Sequence, residues 1–281
     1  MKTFIISLFA LFTITAYSQQ SFQGKAIYKL KTTMNMDFGG RQLSADQKKR
    51  IAERMKGFLE KTYVLNFNKT TSTYKEEESL DTPGQGQGGR FGGFMSSFSG
   101  GLKYKNTKDE EVLEETEFFG KKFLISEEST KPAWVLGGET KKIGNYTCYK
   151  ATLTKKIDPS SFSSFRRGSP SNNNERKKDS VKAELPKEIT VTAWYTPQIP
   201  VSQGPAEYWG LPGLILEINA GKTIILCSEI VMNPSEKELI KKPNKGKRVT
   251  REQYDKIVKK KISEMRAQFR GRGNRNRGSR H

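Results

Sequence analysis

A chain of 281 residues with 34% hydrophobic and 28% charged residues is long enough for one domain with a real core, or for one domain plus extensions. The net charge of +20 is uneven: sixteen Lys/Arg and three Asp/Glu fall between Lys241 and His281. The sole histidine is the last residue, His281, and the only cysteines are Cys148 and Cys227. That inventory excludes a Ser-His-Asp triad, a Cys-His pair, a histidine-based zinc or copper site and a four-cysteine site.

Met1 to Ser18 reads as a secretory signal peptide. Lys2 supplies the basic start, Phe4 to Thr15 the apolar stretch, and Ala16-Tyr17-Ser18 the small residues before the cut. The apolar run is shorter than the ~20 residues a spanning helix needs. The expectation is an exported mature chain beginning near Gln19, in the periplasm or at the cell surface, with no transmembrane span. In an oxidising compartment Cys148 and Cys227 admit two readings, a disulfide or two buried thiols.

In Ser21 to Thr33, Ala26, Tyr28 and Leu30 alternate with Lys25, Lys29 and Lys31, which predicts a half-buried strand. Gly39-Gly40 breaks the chain. Ser44 with Gln47 forms a capping box for a helix over 44–61, whose Ile51, Met55, Phe58 and Leu59 share one face. Tyr63 to Tyr74 returns to period two. Residues 83–101 hold eight glycines in nineteen and read as a flexible insert. Leu102 to Ser126 gives short strands. Trp134-Val135-Leu136 leads to a Gly137-Gly138 turn, and Lys142 to Thr154 is a strand with a bend at Gly144. Residues 158–180 are polar and aperiodic, a second disordered insert.

Ile189 to Thr196 resumes the sheet and runs into Trp194 to Ile218. Two aromatic pairs, Trp194-Tyr195 and Tyr208-Trp209, bracket a proline-rich loop there. Pro212-Gly213 suits a type II turn. Leu214, Ile215, Leu216 and Ile218 then read as a buried strand. Thr223 to Val231 is the next strand, and Pro234 ends the sheet. Ser235 to Ile240 forms a helical turn or two. Thr250 with Gln253 caps a second helix bearing Tyr254, Val258, Ile262, Met265 and Phe269 on one face. From Arg270 the tail is disordered. The chain thus divides into a leader (1–18), one β-rich domain (19–233), a basic helical extension (234–269) and an Arg/Gly-rich tail (270–281). The fold class is mainly β: an antiparallel, strongly curved sheet or half-open barrel with one or two covering helices, plus disordered inserts and tail.

Gly210-Leu211-Pro212-Gly213-Leu214-Ile215 resembles the motif that names the GLPGLI family of exported Bacteroidota proteins. Ala193-Trp194-Tyr195-Thr196, Ile199-Pro200, Gly204-Pro205 and Tyr208-Trp209 resemble that family's lead-in, and Gly144 to Ala151 resembles its upstream element. The resemblance runs from Trp134 to Ile230. It implies export and a fold, not a reaction. By the same resemblance a TonB-dependent outer-membrane receptor is a plausible partner, since such receptors are often encoded beside family members.

For chemistry, carboxylates are the option left. Glu207 and Glu217 flank the motif; Glu217, within the apolar strand, reads either as an acid or base facing a cavity or as a solvent-facing, ion-paired side chain. Trp194, Tyr195, Tyr208 and Trp209 line a pocket for an apolar or carbohydrate ligand, or staple the loop onto the sheet. Met34 and Met36 make a poor copper(I) site without His or Cys nearby. No cofactor or metal is expected. Lys241 to His281 suits a polyanion, whether anionic lipid, glycan or nucleic acid, with the export signal favouring the first two. The expected function is a non-catalytic envelope protein that binds an apolar ligand or docks on an outer-membrane partner. The alternatives are a surface protein acting through its basic segment and, more remotely, a carboxylate-dependent hydrolase.

Overall fold

A computed structural model describes residues 22–33, 44–77, 101–128, 131–156, 188–236 and 238–275. The expected leader, nearly all of the glycine-rich insert, the second insert and the last six residues lie outside these. Twelve strands among the described residues form one sheet. In chain order they are β1 (Gln23–Thr32), β2 (Glu60–Asn68), β3 (Thr71–Glu76), β4 (Leu102–Asn106), β5 (Glu111–Phe118), β6 (Lys121–Glu128), β7 (Val135–Ile143), β8 (Tyr146–Lys156), β9 (Glu188–Thr196), β10 (Leu214–Ala220), β11 (Thr223–Met232) and β12 (Lys247–Thr250). Across the sheet they run β12-β6-β5-β4-β3-β2-β1-β11-β10-β9-β8-β7. Every pairing is antiparallel except β12 on β6, which is parallel. The fold is mainly β, and its sheet does not close into a barrel.

Chain connectivity forces the curvature. Strands β6 and β7 lie ten positions apart in the sheet, yet only residues 129–134 join them. A flat sheet would separate them by about 48 Å at the usual strand spacing. Seven Cα steps span at most about 25 Å. The sheet therefore curls until its two halves face each other, and the β9–β10 connection fills the space between them. The main core joins Tyr28, Leu65, Phe67 and Tyr74 from one half to Ile199, Tyr208, Leu211 and Leu214 from the other side.

Local sequence accounts for the element ends. The helix α1 (Ala45–Leu59) starts at the Ser44/Gln47 capping box, with both reciprocal bonds made, and runs straight into β2 instead of continuing to Lys61. The expected single strand over 63–74 is a hairpin. Asn68 Oδ1 accepts from the backbone N–H of Thr70 (2.9 Å) and Thr71 (2.7 Å), an Asx turn that reverses the chain. Gly137-Gly138 is not a turn; both residues sit inside β7, where the pairing with β8 slips between Leu136 and Thr140. Gly144, at φ +55°, makes the reversal into β8.

The C-terminal segment is the larger correction. Pro234 does not end the sheet, because β12 adds to it through parallel pairing with β6. The described residues of the expected turn, 235–236 and 238–240, are not helical. Helix α2 (Arg251–Arg275) begins where Thr250 and Gln253 cap each other and runs past Arg270, where the disordered tail was expected to begin. Tyr254, Ile257 and Val258 pack on Phe118, Phe123, Ile125 and Val249. Arg251 reaches Glu114 (2.6 Å) and Glu127 (2.5 Å), pinning the helix start to β5 and β6. Among the described residues, no helix is long and apolar enough to cross a membrane.

Candidate functional site: the clamped loop between β9 and β10

Residues 197–213 fold inward and are held at several points. Backbone bonds run from Tyr208 N–H to Pro205 O (3.0 Å), Gly210 N–H to Ser202 O (3.0 Å), Leu214 N–H to Ile199 O (3.0 Å) and Ile215 N–H to Gln203 O (3.1 Å). The Gly210–Ile215 motif is the hinge into the core strand. Leu211, Leu214 and Ile215 are buried, and burying each contributes about 1.5–3 kcal/mol. The corner is not a type II turn. Gly213 N–H bonds Leu211 O at 2.8 Å across Pro212, a three-residue reversal that a proline φ suits. Glycine is required at 213 by crowding: an added Cβ would sit 2.2 Å from Thr196 O and 2.5 Å from Thr196 C.

Leu216 is an extra residue in β10, since the pairing with β9 shifts between Ile215 and Glu217. This bulge buries Leu214, Ile215, Leu216 and Ile218 together. Ile215 O accepts the buried Tyr28 hydroxyl at 2.7 Å, which ties β10 to β1 beyond their shared sheet neighbour β11.

The strongest hold on the loop comes from Lys105 of β4, which sequence reasoning missed. Its side chain is 1% exposed. Nζ donates to Gly204 O, to Ala206 O (3.1 Å) and to Tyr208 O (3.3 Å). Three acceptors match the three protons of an ammonium. Burial pulls the pKa of Lys105 down to about 7, Lys103 adds to the shift, and Glu207 opposes it weakly. A lysine near neutrality suits a nucleophile or base. This one is closed off by the carbonyls it binds, so the arrangement clamps a loop and presents no amine. Beside it Gln203 is buried, and its Oε1 accepts from Ser72 Oγ of β3 at 2.7 Å.

Glu207 pairs with Lys155 at 2.7 Å and lies within the field of Lys103. Burial pushes its pKa up; Lys103 and Lys155 overcome that and hold it at about 2. It is an ionised anchor at neutral pH and unsuited to general acid work. Glu217 is on the outward face, where it pairs with Lys141 at 2.7 Å. Lys141 also lies 4.4 Å from the Trp194 ring centroid. The two carboxylates therefore do not converge. Among the described residues no group of three His, Cys, Asp or Glu side chains is placed to hold a metal ion.

The four aromatics are likewise separated. Tyr195, Tyr208 and Trp209 are buried, whereas Trp194 is half-buried beside Lys141 and Glu217. Trp134 Nε1 donates to Trp209 O at 2.8 Å, and its ring lies 6.2 Å from Tyr208. The stapling role thus describes three of the four. Cys148 and Cys227 are free and buried, so the possible disulfide is not formed. Burial raises their thiol pKa values to about 11 and about 12.

A family described as a protein of unknown function (Porph_ging), associated with Bacteroidota, matches residues 134–217. The match spans β7 through the middle of β10 and contains the whole clamped loop. No curated protein matches the chain. Two solved structures of PNGF-II, in C2 and P21 crystal forms, share 13% and 14% identity with TM-scores of 0.47 and 0.48. Each alignment covers 84% of this chain, which spans about a third of the length of those proteins, 32% and 33%. The family likeness, to Porph_ging across residues 134–217, takes in the whole of the site.

Proposed function

We propose that this protein is a non-catalytic component of the cell envelope, of the GLPGLI type, that docks on an outer-membrane partner. The observation that carries the reading is the Lys105 clamp. Its three bonds, with the burial of Tyr195, Tyr208 and Trp209, commit the loop to holding the fold together. Aromatics committed to packing favour docking over carriage of an apolar ligand. Separated, ion-paired Glu207 and Glu217 weigh against hydrolysis.

The docking element is β7. It is the last strand of the sheet, so one row of its backbone groups faces away from β8. Val135 is 67% and Leu136 58% exposed, so each face of this edge carries one apolar side chain in the open. Such an edge accepts an extended segment of a partner as an added strand. By the family resemblance the partner is a TonB-dependent receptor.

The test is photo-crosslinking in the native host, with the crosslinker placed at Val135 or Leu136 and, as a control, at Lys108 in the β4–β5 turn. Docking predicts a receptor adduct from the β7 positions alone. Equal labelling from all three positions, or a small molecule retained by the purified protein in native mass spectrometry, would overturn it.

A further inference from the structure

The basic C-terminal segment is built into the sheet, and this gives it a defined face. Strand β12 presents exposed Lys247 and Arg248 at the edge opposite β7. Helix α2 follows at once, with its start fixed by Arg251 on Glu114 and Glu127. One side of α2 is committed to the sheet through Tyr254, Ile257 and Val258, and Ile262 is buried. Its opposite side carries exposed Lys256, Lys259 and Lys260 at i, i+3 and i+4, a single stripe. Between Lys241 and Lys261 the only acidic residues are Glu252 and Asp255, against ten Lys and Arg.

We infer that this edge, with the Lys256, Lys259 and Lys260 stripe at its centre, is a binding face for an anionic phospholipid surface. Over residues 251–262 the apolar side of α2 is occupied, so this stretch offers charge alone. Binding of this kind is peripheral and salt-sensitive. The chemistry favours lipid headgroups over single-stranded nucleic acid. Base recognition without sequence preference uses stacking on exposed aromatics. The one aromatic between Lys241 and Met265 is Tyr254, whose ring meets Phe118 and Phe123 edge-on. Exposed Phe119 nearby has Lys261 over its ring at 5.9 Å. The inference does not depend on what β7 binds.

The experiment is co-sedimentation of the full chain with vesicles of phosphatidylglycerol and phosphatidylcholine (1:1), and with phosphatidylcholine alone. Each basic residue at an anionic surface is worth about fivefold in affinity. The variant K256E/K259E/K260E should therefore bind the mixed vesicles at least a hundredfold more weakly. K29E/K108E/K222E, with the same charge change on other parts of the surface, should lose less than tenfold. The neutral pair K259Q/K260Q, which keeps the helix, should fall between wild type and the triple stripe variant. Equal loss in both triple variants would show that only net charge matters and overturn the assignment. So would wild-type binding that ignores phosphatidylglycerol, or a single-stranded RNA oligonucleotide that binds more tightly than the vesicles and depends on the same stripe.

Discussion

Replacing Lys105 with methionine isolates the clamp. The substitution keeps most of the stem volume and removes the charge. It leaves the carbonyls of Gly204, Ala206 and Tyr208 without their shared donor. Each buried, unpaired group costs about 1–3 kcal/mol. Against that, a pKa near 7 means the buried ammonium is itself disfavoured. The shift from an ordinary 10.5 corresponds to about 5 kcal/mol at 1.36 kcal/mol per unit. The two effects are of similar size and opposite sign, so the stability change at one pH does not diagnose the clamp. The pH dependence does. With a depressed lysine pKa the unfolded chain binds the extra proton between pH 7 and pH 10.5, and stability rises with pH across that window. Between pH 7 and pH 9 the gain is about 2 kcal/mol for a two-state transition. Urea denaturation at both pH values should show the wild type gaining about 2 kcal/mol more than K105M between pH 7 and pH 9. The buried thiols of Cys148 and Cys227, whose pKa values are raised, oppose the trend within the window, but equally in wild type and variant, so they cancel in the comparison. The buried tyrosines Tyr28, Tyr63 and Tyr74 oppose it only as pH passes 10. Parallel pH profiles for wild type and variant would refute this account of Lys105.

Gly213→Ala should lower the thermal midpoint, with a loss of about 1–3 kcal/mol from overpacking, because the new Cβ meets the Thr196 backbone and not a side chain that can swing away. A midpoint within a degree of wild type would mean that the corner relaxes freely. Glu207 should titrate near pH 2 by carbon-13 NMR, and in a Lys155→Met variant its midpoint should move up. The stability it contributes is fully present above about pH 4.5 and fades as pH falls through 2. No movement in the variant would remove Lys155 as a cause. Cys148 and Cys227 should resist iodoacetamide at pH 8 in the native state and both react in 6 M guanidinium without reductant, read by intact mass. A mass showing no alkylation in denaturant would mean that a disulfide is present after all.

Much of the fold was legible because its signals are local. Ser44 with Gln47 and Thr250 with Gln253 cap helices within four residues of chain, and both boxes form. The alternation of Ala26 and Tyr28 against Lys25 and Lys29, and the apolar run after Gly213, place the same residues inside that the sequence suggested. What escaped was non-local. Lys-Tyr-Lys in β4 looks like an ordinary half-exposed strand, and nothing in it reveals carbonyl partners about a hundred residues away. Strand β12 is four residues long and basic, and its partner is more than a hundred residues upstream. Gly137-Gly138 reads as a turn by composition. In the fold it is an irregularity in an edge strand, and the two residues at Gly144 suffice for the reversal. The aromatic pairs looked like one cluster; alternation along β9 sends Trp194 outward and Tyr195 inward, which divides them.

The central claim is that the β9–β10 loop is fixed internal structure. Native-state hydrogen exchange at the Tyr208, Gly210, Leu214 and Ile215 amides tests it most directly. Protection of all four at the free energy of global unfolding is the expected result. Exchange through a low-energy opening, with the four amides gaining protection only when a small molecule is added, would mean that the loop is a binding site and the clamp is not what holds it.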